Sequence, residues 1–401
     1  MTVRRWWLWA WTIACFGAGI LGGALGAQRW QISSLTAGFG VVLAAIFMLG
    51  FGWWREFHLA RQRTRQVERR PRIVAMGGGT GLSVVLRGLK EFNVDLTAIV
   101  TVADDGGSSG RLRADFAMPP PGDIRNCLVA MADTEPLLER LLQFRFPAGE
   151  GLAGHSFGNL FLAAMTYIMG DFESAIRETS RVLAVRGRVL PAVREDVILR
   201  AVLTDGRVVE GESNIPLAGQ PVDRVELVPK DLHPLPEVLR AIAEADAIVV
   251  GPGSLYTSVL PNLLVPEIAA AVADSPAKKI YVSNVMTQPG ETDSLTASQH
   301  VQAIYRHVDR HLFDYILVNA ASLPVEAVSQ YRAQGAFPVR IDMEALNNLG
   351  LRVIARDFVH YATYARHDSR RIAEQIVSLI GYERQNPAGR THRRGGDLLG
   401  E

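Results

Sequence analysis

The sequence is short of cysteine, with only Cys15 and Cys127 among its 401 residues. Cys15 lies in an apolar segment and Cys127 in an amphipathic one, so neither a disulfide framework nor a cysteine-based metal site is expected. No His-Glu-x-x-His zinc motif occurs, and no nucleophile elbow of the α/β-hydrolase kind is predicted. These absences argue against a zinc protease or a serine hydrolase.

Net charge is also nearly absent, at +1, but the two parts of the chain differ in sign. Residues 1–72 contain ten arginines against Glu56 and Glu68, which gives +8 and leaves −7 for the remainder. A mildly acidic body behind a basic leader argues against a body that binds nucleic acid. No nucleic-acid partner is therefore predicted.

Two long apolar runs stand near the start of the chain, from Trp6 to Ala27 and from Thr36 to Trp54. Each is close to the roughly 20 residues that a helix needs to cross a bilayer. Arg4 and Arg5 before an apolar run also fit a cleaved signal peptide, but such a signal has no second run. Tryptophans cluster near the ends of both runs, as interfacial anchors do. The sequence predicts a transmembrane helical hairpin over residues 1–54.

Arginines set the predicted orientation of this hairpin. Arg4 and Arg5 precede the first run, only Arg29 lies between the runs, and seven arginines follow between residues 55 and 72. Because positive residues favour the cytoplasmic side, the termini and the body are predicted to lie in the cytoplasm, with the hairpin in the inner membrane. Residues 55–71 then form a basic juxtamembrane linker that contacts anionic lipid; a nucleic-acid patch is the alternative.

From Arg72 onward, short apolar runs alternate with segments of helical periodicity. Strands separated by helices predict a mainly parallel sheet with helices on both faces, an α/β domain over residues 72–383. Val197–Glu210 differs, because two strand-like runs joined by Asp-Gly predict a small β-hairpin. Residues 384–401 lack periodicity and are predicted to be a disordered tail. The predicted strands are Ile73–Met76, Leu96–Ala103, Ala247–Val250, Lys279–Asn284 and Tyr315–Asn319, and the predicted helices include Leu128–Phe144, Gly158–Met169, Asp171–Val185, Thr296–Val308 and Ser369–Leu379.

The first predicted strand ends in Gly77-Gly78-Gly79-Thr80-Gly81, before a segment with helical apolar spacing. Glycines there allow positive φ and the close approach of a ligand, and the first N–H groups of the helix favour an anion. The Gly-Lys-Ser/Thr ending of a Walker loop is missing, and Leu82 stands where a dinucleotide fingerprint has its third glycine. The loop predicts a phosphate site of neither familiar type; a turn without a ligand is the alternative.

The second predicted strand is followed by Asp104-Asp105-Gly106-Gly107-Ser108-Ser109-Gly110-Arg111. Paired carboxylates can hold a divalent cation or act as acid and base. Adjacent side chains of an extended chain point to opposite sides, so at most one of the two aspartates is expected to face the site. The glycine–serine run offers N–H groups to a diphosphate, with Arg111 or Arg113 as the counter-charge. Aspartates that only cap a turn are the alternative.

The later loops have a similar composition, at the strand ends where open parallel sheets bind their ligands. Gly251–Ser258 and Val285–Thr292 follow two predicted strands and mix glycine with hydroxyl and amide side chains. Asp123, which follows three prolines, is either a helix N-cap or a catalytic group. His155 and Asn159 are four residues apart, so on a helix both reach one ligand; a purely structural histidine is an equal alternative.

Six loop motifs therefore occur in order along roughly residues 72–380. They are Gly77–Gly81, Asp104–Arg111, Pro121–Asn126, His155–Asn159, Gly251–Thr257 and Asn284–Thr292. Together they resemble the gluconeogenesis factor (YvcK-like) branch of the CofD-like family. The other branch of that family contains 2-phospho-L-lactate transferase, which uses magnesium to move a phospholactyl group from a guanosine-diphosphate-linked donor onto a deazaflavin.

The resemblance implies a Rossmann-like fold that binds a UDP-sugar, typically UDP-N-acetylglucosamine. It also implies a regulatory role in cell shape, cell-wall synthesis and central carbon metabolism during gluconeogenic growth. Cell-wall synthesis proteins are implied as partners, and a homo-oligomer is left open. Carried over residue by residue, the ligand-contacting positions would be Gly77, Gly78, Gly79, Thr80, Gly81, Asp104, Asp105, Gly106, Gly107, Ser108, Ser109, Arg111, Asn126, His155, Asn159, Gly251, Gly253, Ser254, Tyr256, Thr257, Asn284, Thr287 and Gln288.

Two features depart from the family pattern. The membrane hairpin is absent from the usual soluble members, and the Gly-Gly-Ser-Ser-Gly-Arg run differs from the transferase branch. The leading hypothesis is a membrane-tethered protein that binds a nucleotide sugar without turning it over. The alternative is a Mg²⁺-dependent transferase in which Asp104 and Asp105 hold the metal and Asp123 or His155 is the base. A scaffold that needs no ligand is the third reading.

Overall fold

The computed structural model describes residues 50–52, 54–55, 69–361 and 365–382. The chain divides into two compact units, Met1–Arg69 and Arg70–Glu401. In the first unit, residues 50–52, 54 and 55 are helical. The predicted hairpin over residues 1–54 and the linker over 55–71 lie almost entirely outside the described residues, and the predicted tail over 384–401 lies wholly outside them.

Within the described residues, no single helix is both long and apolar enough to cross a bilayer. One bent pair, Leu255–Leu263 with Pro266–Asp274, meets the criterion by length and composition only. The transmembrane hairpin stays a prediction from the sequence.

A seven-stranded parallel sheet forms the centre of the second unit, and two small antiparallel sheets accompany it. The strands of the large sheet are β1 (Arg72–Gly77), β2 (Asp95–Val100), β3 (Arg188–Pro191), β7 (Ala247–Val250), β8 (Lys278–Val282), β9 (Tyr315–Asn319) and β10 (Arg352–Arg356). The small sheets contain β4 (Ile198–Leu203), β5 (Val208–Glu210) and β6 (Val222–Val228), and β11 (Val359–Tyr361) with β12 (Ala365–His367).

The strand order of the large sheet is β10-β9-β8-β7-β1-β2-β3. The chain therefore runs outward from β1 to β3, crosses back to β7, and runs outward again to β10. The direction of winding reverses between β1 and β7, where Ile73–Met76 pair in parallel with Ala247–Val250. A doubly wound sheet of this kind opens a crevice at such a switch point, outside the carboxyl ends of its strands.

Helices cover both faces of the sheet, and the alternation along β1 shows how the core divides. Ile73 and Ala75 face one hydrophobic cluster and Val74 and Met76 face the other, as the period of two of a strand requires. The helices are α1 (Gly79–Leu89), α2 (Gly107–Phe116), α3 (Gly122–Met131), α4 (Pro136–Gln143), α5 (Phe157–Met169), α6 (Phe172–Val182), α7 (Pro236–Ala243), α8 (Leu260–Leu263), α9 (Pro266–Asp274), α10 (Ala297–Val308), α11 (Val325–Ala333), α12 (Met343–Asn348) and α13 (Ser369–Leu379). A π-helical turn, Leu255–Val259, precedes α8.

The predicted α/β architecture is confirmed, and so is the β-hairpin predicted over Val197–Glu210. Strands β4 and β5 occupy the predicted hairpin, and β6 adds a third strand on the other side of β4. The carboxylate of Asp368 accepts hydrogen bonds from the N–H groups of Arg370 and Arg371, so α13 begins where its cap predicts.

Two predictions of secondary structure are wrong, one for a helix and one for a loop. The single helix predicted over Leu128–Phe144 is two helices, α3 and α4, because Ala132 leaves the helix to bridge Val185 and Pro136 starts a new one. The run Gly106–Gly110, predicted as a loop, forms the first turn of α2 instead. The sequence also gave no signal for β3, β10 or the pair β11 and β12.

Candidate functional site

A cleft of about 780 Å³ opens at the carboxyl ends of the central strands. Its walls come from the turns after β1, β2 and β7, the first turns of α2 and α3, and residues that follow β8 and β9. The cleft thus lies at the switch point between β1 and β7, where the fold predicts a ligand.

The turn after β1 packs tightly against its neighbours. A side chain at Gly81 would bring a Cβ within 2.2 Å of the carbonyl oxygen of Pro252, and one at Gly79 would stand 2.5 Å from a carboxylate oxygen of Asp123. None of the glycines from Gly77 to Gly81 has a positive φ. The expectation of left-handed backbone here is wrong; these positions need glycine because other backbone and side chains approach them.

Helix α1 begins directly from this turn, with its N-terminus at the cleft. Leu82 N–H is the first to bond within the helix, to the Gly78 carbonyl. Gly79 N–H bonds the Asp123 carboxylate, so the N–H groups of Thr80 and Gly81 keep their hydrogen-bonding capacity for another acceptor. Gly79, Thr80 and Gly81 line the cleft, whereas Gly77 and Gly78 are buried behind them. The arrangement suits an anion.

The two aspartates after β2 point in different directions, as expected for neighbours on an extended chain. Asp104 lines the cleft, and its Oδ1 accepts a hydrogen bond from Gly106 N–H at 2.9 Å. Asp105 turns toward the small sheet, where its Oδ1 accepts from Ser213 N–H at 2.9 Å. Only Asp104 of the pair therefore faces the cleft, and a metal role for these aspartates stays a prediction.

Serine and amide side chains join α2 to α5 beside the cleft. Ser108 Oγ lies 3.1 Å from His155 Nδ1 and accepts from Asn159 Nδ2 at 3.2 Å. Ser108, Ser109 and Asn159 line the cleft, as do Gly106 and Gly107. His155 is buried behind them, and burial lowers its pKa, which favours the neutral ring. It is a supporting residue in this structure, not a cleft residue.

Asp123 lies in the first turn of α3 and faces the cleft, but it does not cap the helix. Burial and then the negative charge of Asp104 raise its pKa to about 7. Asn126, one turn later, also lines the cleft. The capping role considered for Asp123 is therefore wrong, and a carboxyl group that titrates near neutrality faces the cleft.

Amide side chains tie the turn after β7 to the segment after β8. Gly253 N–H donates to Asn284 Oδ1 at 3.0 Å, and Asn284 Nδ2 donates back to the Gly253 carbonyl at 2.8 Å. Gln288 Nε2 donates to Ser254 Oγ at 2.6 Å. These four residues line the cleft. Their side chains form a polar wall of the cleft beside the turn after β1.

Two predicted residues of the same turn face away from the cleft. Tyr256 is 3% exposed and packs edge-on against His307, with ring centroids 5.9 Å apart. Thr257 Oγ1 donates to Glu291 Oε1 at 3.2 Å, and Tyr256 N–H donates to Glu291 Oε2 at 3.3 Å. Burial raises the pKa of Glu291 to about 7. Tyr256 and Thr257 therefore hold the π-helical turn in place, and neither side chain faces the cleft.

Three more predicted residues lie outside the cleft lining. Gly251 and Thr287 are buried beside it, and Thr287 Oγ1 accepts from Phe337 N–H at 2.9 Å. Arg111 is exposed and donates to the Ala153 carbonyl at 3.0 Å.

The cleft also contains residues that the sequence analysis missed. Tyr331 of α11 and Arg366 and His367 of β12 line it from the β8–β9 side. Burial lowers the pKa of His367 to about 4, and its Nε2 lies 3.0 Å from the Ser283 carbonyl. Nothing in the local sequence marks these positions, because they follow neither a glycine-rich loop nor a predicted strand. Further lining residues outside the predicted loops are Ser83, Val84, Arg87, Arg145, Glu212 and Ala365; Arg125 and Ser258 lie in predicted loops but were not singled out.

The prediction that the chain contains no nucleophile-elbow pattern is wrong for the sequence, although the structure shows no such elbow at this place. Gly154-His-Ser-Phe-Gly158 has the spacing of a nucleophile elbow, although none was predicted. Ser156 is 0% exposed, and its Oγ donates to the Leu142 carbonyl at 3.3 Å. A loop, not a strand, precedes it. The serine is structural.

Among the described residues, no group of three or more His, Cys, Asp or Glu side chains has the geometry to hold a metal ion. Asp104 and Asp123 nevertheless both face the cleft. Magnesium is commonly bound by one or two carboxylates together with substrate phosphates, so a cation here would need the ligand to complete its shell.

A doubly wound parallel sheet with a glycine-lined cleft at its switch point defines a Rossmann-like α/β protein. A family model described as 2-phospho-L-lactate transferase CofD matches residues 73–359, and the chain belongs to this CofD family. The resemblance that the six motifs predicted is thereby confirmed.

The chain is also similar to proteins named gluconeogenesis factor. It is 55% identical over 312 residues to the one from Bacillus subtilis (strain 168), a match that covers 78% of this chain and 98% of the relative. It is also 55% identical over 306 residues to the one from Halalkalibacterium halodurans, and this match covers 76% of this chain and 95% of the relative. A crystal structure of a Bacillus halodurans protein superposes with a TM-score of 0.76 at 54% identity, over 77% of this chain and 100% of that one.

The acidic side of the cleft predicts a pH-dependent stability. Burial, and then the charges of Asp104, Asp123 and Asp105, raise the pKa of Glu212 from 4.5 to about 8. An acid whose pKa is higher in the folded state stabilises the fold while protonated, and this contribution is lost as the pH rises toward 8. We expect the free energy of unfolding of Glu212→Gln, relative to the wild type, to increase between about pH 5 and pH 9.

Urea unfolding at several pH values measures this difference. Glu150→Gln, which replaces an exposed acid away from the cleft, is the matched control and should follow the wild type. Parallel pH profiles for Glu212→Gln and the wild type would contradict the assignment.

Proposed function

We propose that the cleft binds a nucleotide sugar of the UDP-N-acetylglucosamine type and that binding, not turnover, is the output of the protein. The observation that carries this proposal is the meeting of two helix N-termini, those of α1 and α2, at one glycine-lined cleft. Free N–H groups and helix dipoles at one place favour a ligand with adjacent negative charges, such as a diphosphate.

The β8–β9 side of the cleft suits the nucleoside. Tyr331 offers an aromatic ring, and Asn284 and Gln288 offer amide donors and acceptors. A pyrimidine base needs a stacking surface and groups that pair with its carbonyl oxygens and its ring N–H. Asp104, Asp123 and Ser108 lie on the other side of the glycine turn, where they are able to bond sugar hydroxyl groups.

The family supports a regulatory role for this site. Relatives that are 55% identical carry the name gluconeogenesis factor. By analogy, the protein would report the level of a nucleotide-sugar precursor to cell-wall synthesis and central carbon metabolism, and so influence cell shape during gluconeogenic growth. The predicted hairpin over residues 1–54 would hold the site near the inner face of the membrane; cell-wall synthesis proteins would be its partners.

A Mg²⁺-dependent transferase of the 2-phospho-L-lactate transferase type is the second candidate. Asp123 favours it, because a cleft carboxyl group with a pKa of about 7 suits a general base. Asp104 would then hold the cation together with the donor phosphates. The missing lysine of the glycine turn favours binding alone.

The binding proposal predicts the behaviour of two tyrosine variants. Loss of a base-stacking ring should weaken UDP-N-acetylglucosamine binding by about tenfold or more in Tyr331→Ala. Tyr167→Ala, which removes an 86% exposed ring on α5, should bind like the wild type. Isothermal titration calorimetry measures both. Absence of binding heat from the wild-type protein would refute the proposal.

Turnover is tested separately. The protein is incubated with UDP-N-acetylglucosamine or a guanosine-diphosphate-linked donor, Mg²⁺ and a panel of acceptors, and nucleotide release is followed by chromatography. We expect no release above the level of Asp123→Asn. Release that requires Mg²⁺, increases through pH 7 and is lost in Asp123→Asn would establish the transferase instead.

A further inference from the structure

Three arginines line one end of the cleft, and the proposed nucleotide site does not account for them. They are Arg87 on α1, Arg125 on α3 and Arg145 just after α4. We call this group the arginine end. It lies on the β2 side of the sheet, since α3 and α4 follow β2 in the chain, whereas Tyr331 and Arg366 enter from the β8–β9 side.

Arg125 is held in place by neutral groups. Its Nη1 donates to Ser156 Oγ, and its Nη2 donates to Asn126 Oδ1 at 2.7 Å. Its Nε is buried without a hydrogen-bond partner. Its stem packs on α5, where a Cβ at Gly158 would stand 2.7 Å from Arg125 Cδ. The guanidinium is therefore fixed in position before any ligand arrives.

Positive charge at the arginine end is incompletely balanced. Within residues 69–361 and 365–382, neither Arg125 nor Arg145 has a carboxylate within ion-pair distance, and Arg145 donates instead to the Gly154 carbonyl. Burial and then the charge of Arg145 lower the pKa of Arg125, and the charges of Asp123 and Asp104 act in the opposite direction. Arg87 has a partner, Glu139 at 3.3 Å, but both side chains are about 40% exposed. Such an exposed pair is weak and can exchange for a ligand.

The position of Arg87 on α1 separates it from the phosphate cradle. Arg87 is eight residues after Gly79, which is about 12 Å along the axis of α1. The helix N-terminus and the arginine end therefore mark two places in one cleft that favour negative charge. A single diphosphate at the N-terminus leaves the arginine end without an anion.

On the basis of the proposed function, we infer that the arginine end binds the carboxylate or phosphate group of a second, non-nucleotide ligand, which occupies the cleft together with the nucleotide sugar. Planar guanidinium groups pair with either anion through two parallel N–H bonds. The anion would bind first to Arg125, whose guanidinium is fixed in position. The more exposed side chains of Arg87 and Arg145 would then close around it.

Calorimetric titration of the full chain tests this inference. Inorganic phosphate and succinate serve as the two probes, each titrated with and without saturating UDP-N-acetylglucosamine, and the stronger probe identifies the chemistry. We expect one of them to bind whether or not the nucleotide sugar is present. Arg145→Gln and Arg87→Gln should each weaken that binding by about tenfold or more, because each loses a charged hydrogen bond to the anion.

Arg177→Gln, which removes an exposed arginine on α6, is the control and should bind the anion like the wild type. The nucleotide sugar should bind Arg145→Gln and Arg87→Gln within about twofold of the wild type. An equal loss of nucleotide-sugar affinity in these variants would overturn the inference, because the arginines would then hold the diphosphate itself. Exclusion of the probe by the nucleotide sugar, or failure of both probes to bind the wild type, would also overturn it. If the anion binds but the nucleotide sugar does not, the proposed function fails and the arginine site stands.

Discussion

Close contact at the turn after β1 is the constraint on which the cleft depends. A Cβ at Gly81 would collide with the Pro252 carbonyl, and a Cβ at Gly79 would collide with Asp123. Only because both side chains are missing can the turn after β1, the start of α3 and the turn after β7 converge on one point. This convergence places the N-terminus of α1 at the floor of the cleft. The same contact explains why the turn is built of glycine although none of these glycines has a positive φ.

Charge is distributed along the cleft in a way that follows from this convergence. Three acidic groups, Asp104, Asp123 and Glu212, are brought together in the cleft, and burial together with their mutual charges raises the pKa values of Asp123 and Glu212 to about 7 and about 8. Protonation of one or more of these carboxyl groups reduces their mutual repulsion. Arginines line the same cleft, and Arg125 is close enough to Asp123 and Asp104 for their charges to act on it. The acidic and basic groups therefore share a partly desolvated site, where each has more effect on a ligand than it would in water.

The parts of this site that follow predicted strands directly could be found from the sequence. Gly79, Asp104, Gly253 and Asn284 stand at strand ends, and the parallel arrangement alone brings such positions together. Tyr331 and Arg366 could not be found, because their place in the cleft depends on how α11, and β11 with β12, pack in the folded protein, and periodicity along the chain does not show such packing. Tyr256 shows the reverse failure: it belongs to a recognisable motif, but the π-helical turn rotates it away from the cleft and against His307. A π-helical turn changes the direction of side chains by adding a residue to the turn, and sequence spacing does not reveal it.

The central claim is that a nucleotide diphosphate lies across the N-termini of α1 and α2. A crystal structure of the protein grown with saturating UDP-N-acetylglucosamine tests it most directly. We expect density for the diphosphate over Gly79–Gly81, with the base toward Tyr331 and the sugar toward Asp104. Density for the ligand elsewhere on the molecule, or an empty cleft at saturation, would contradict it.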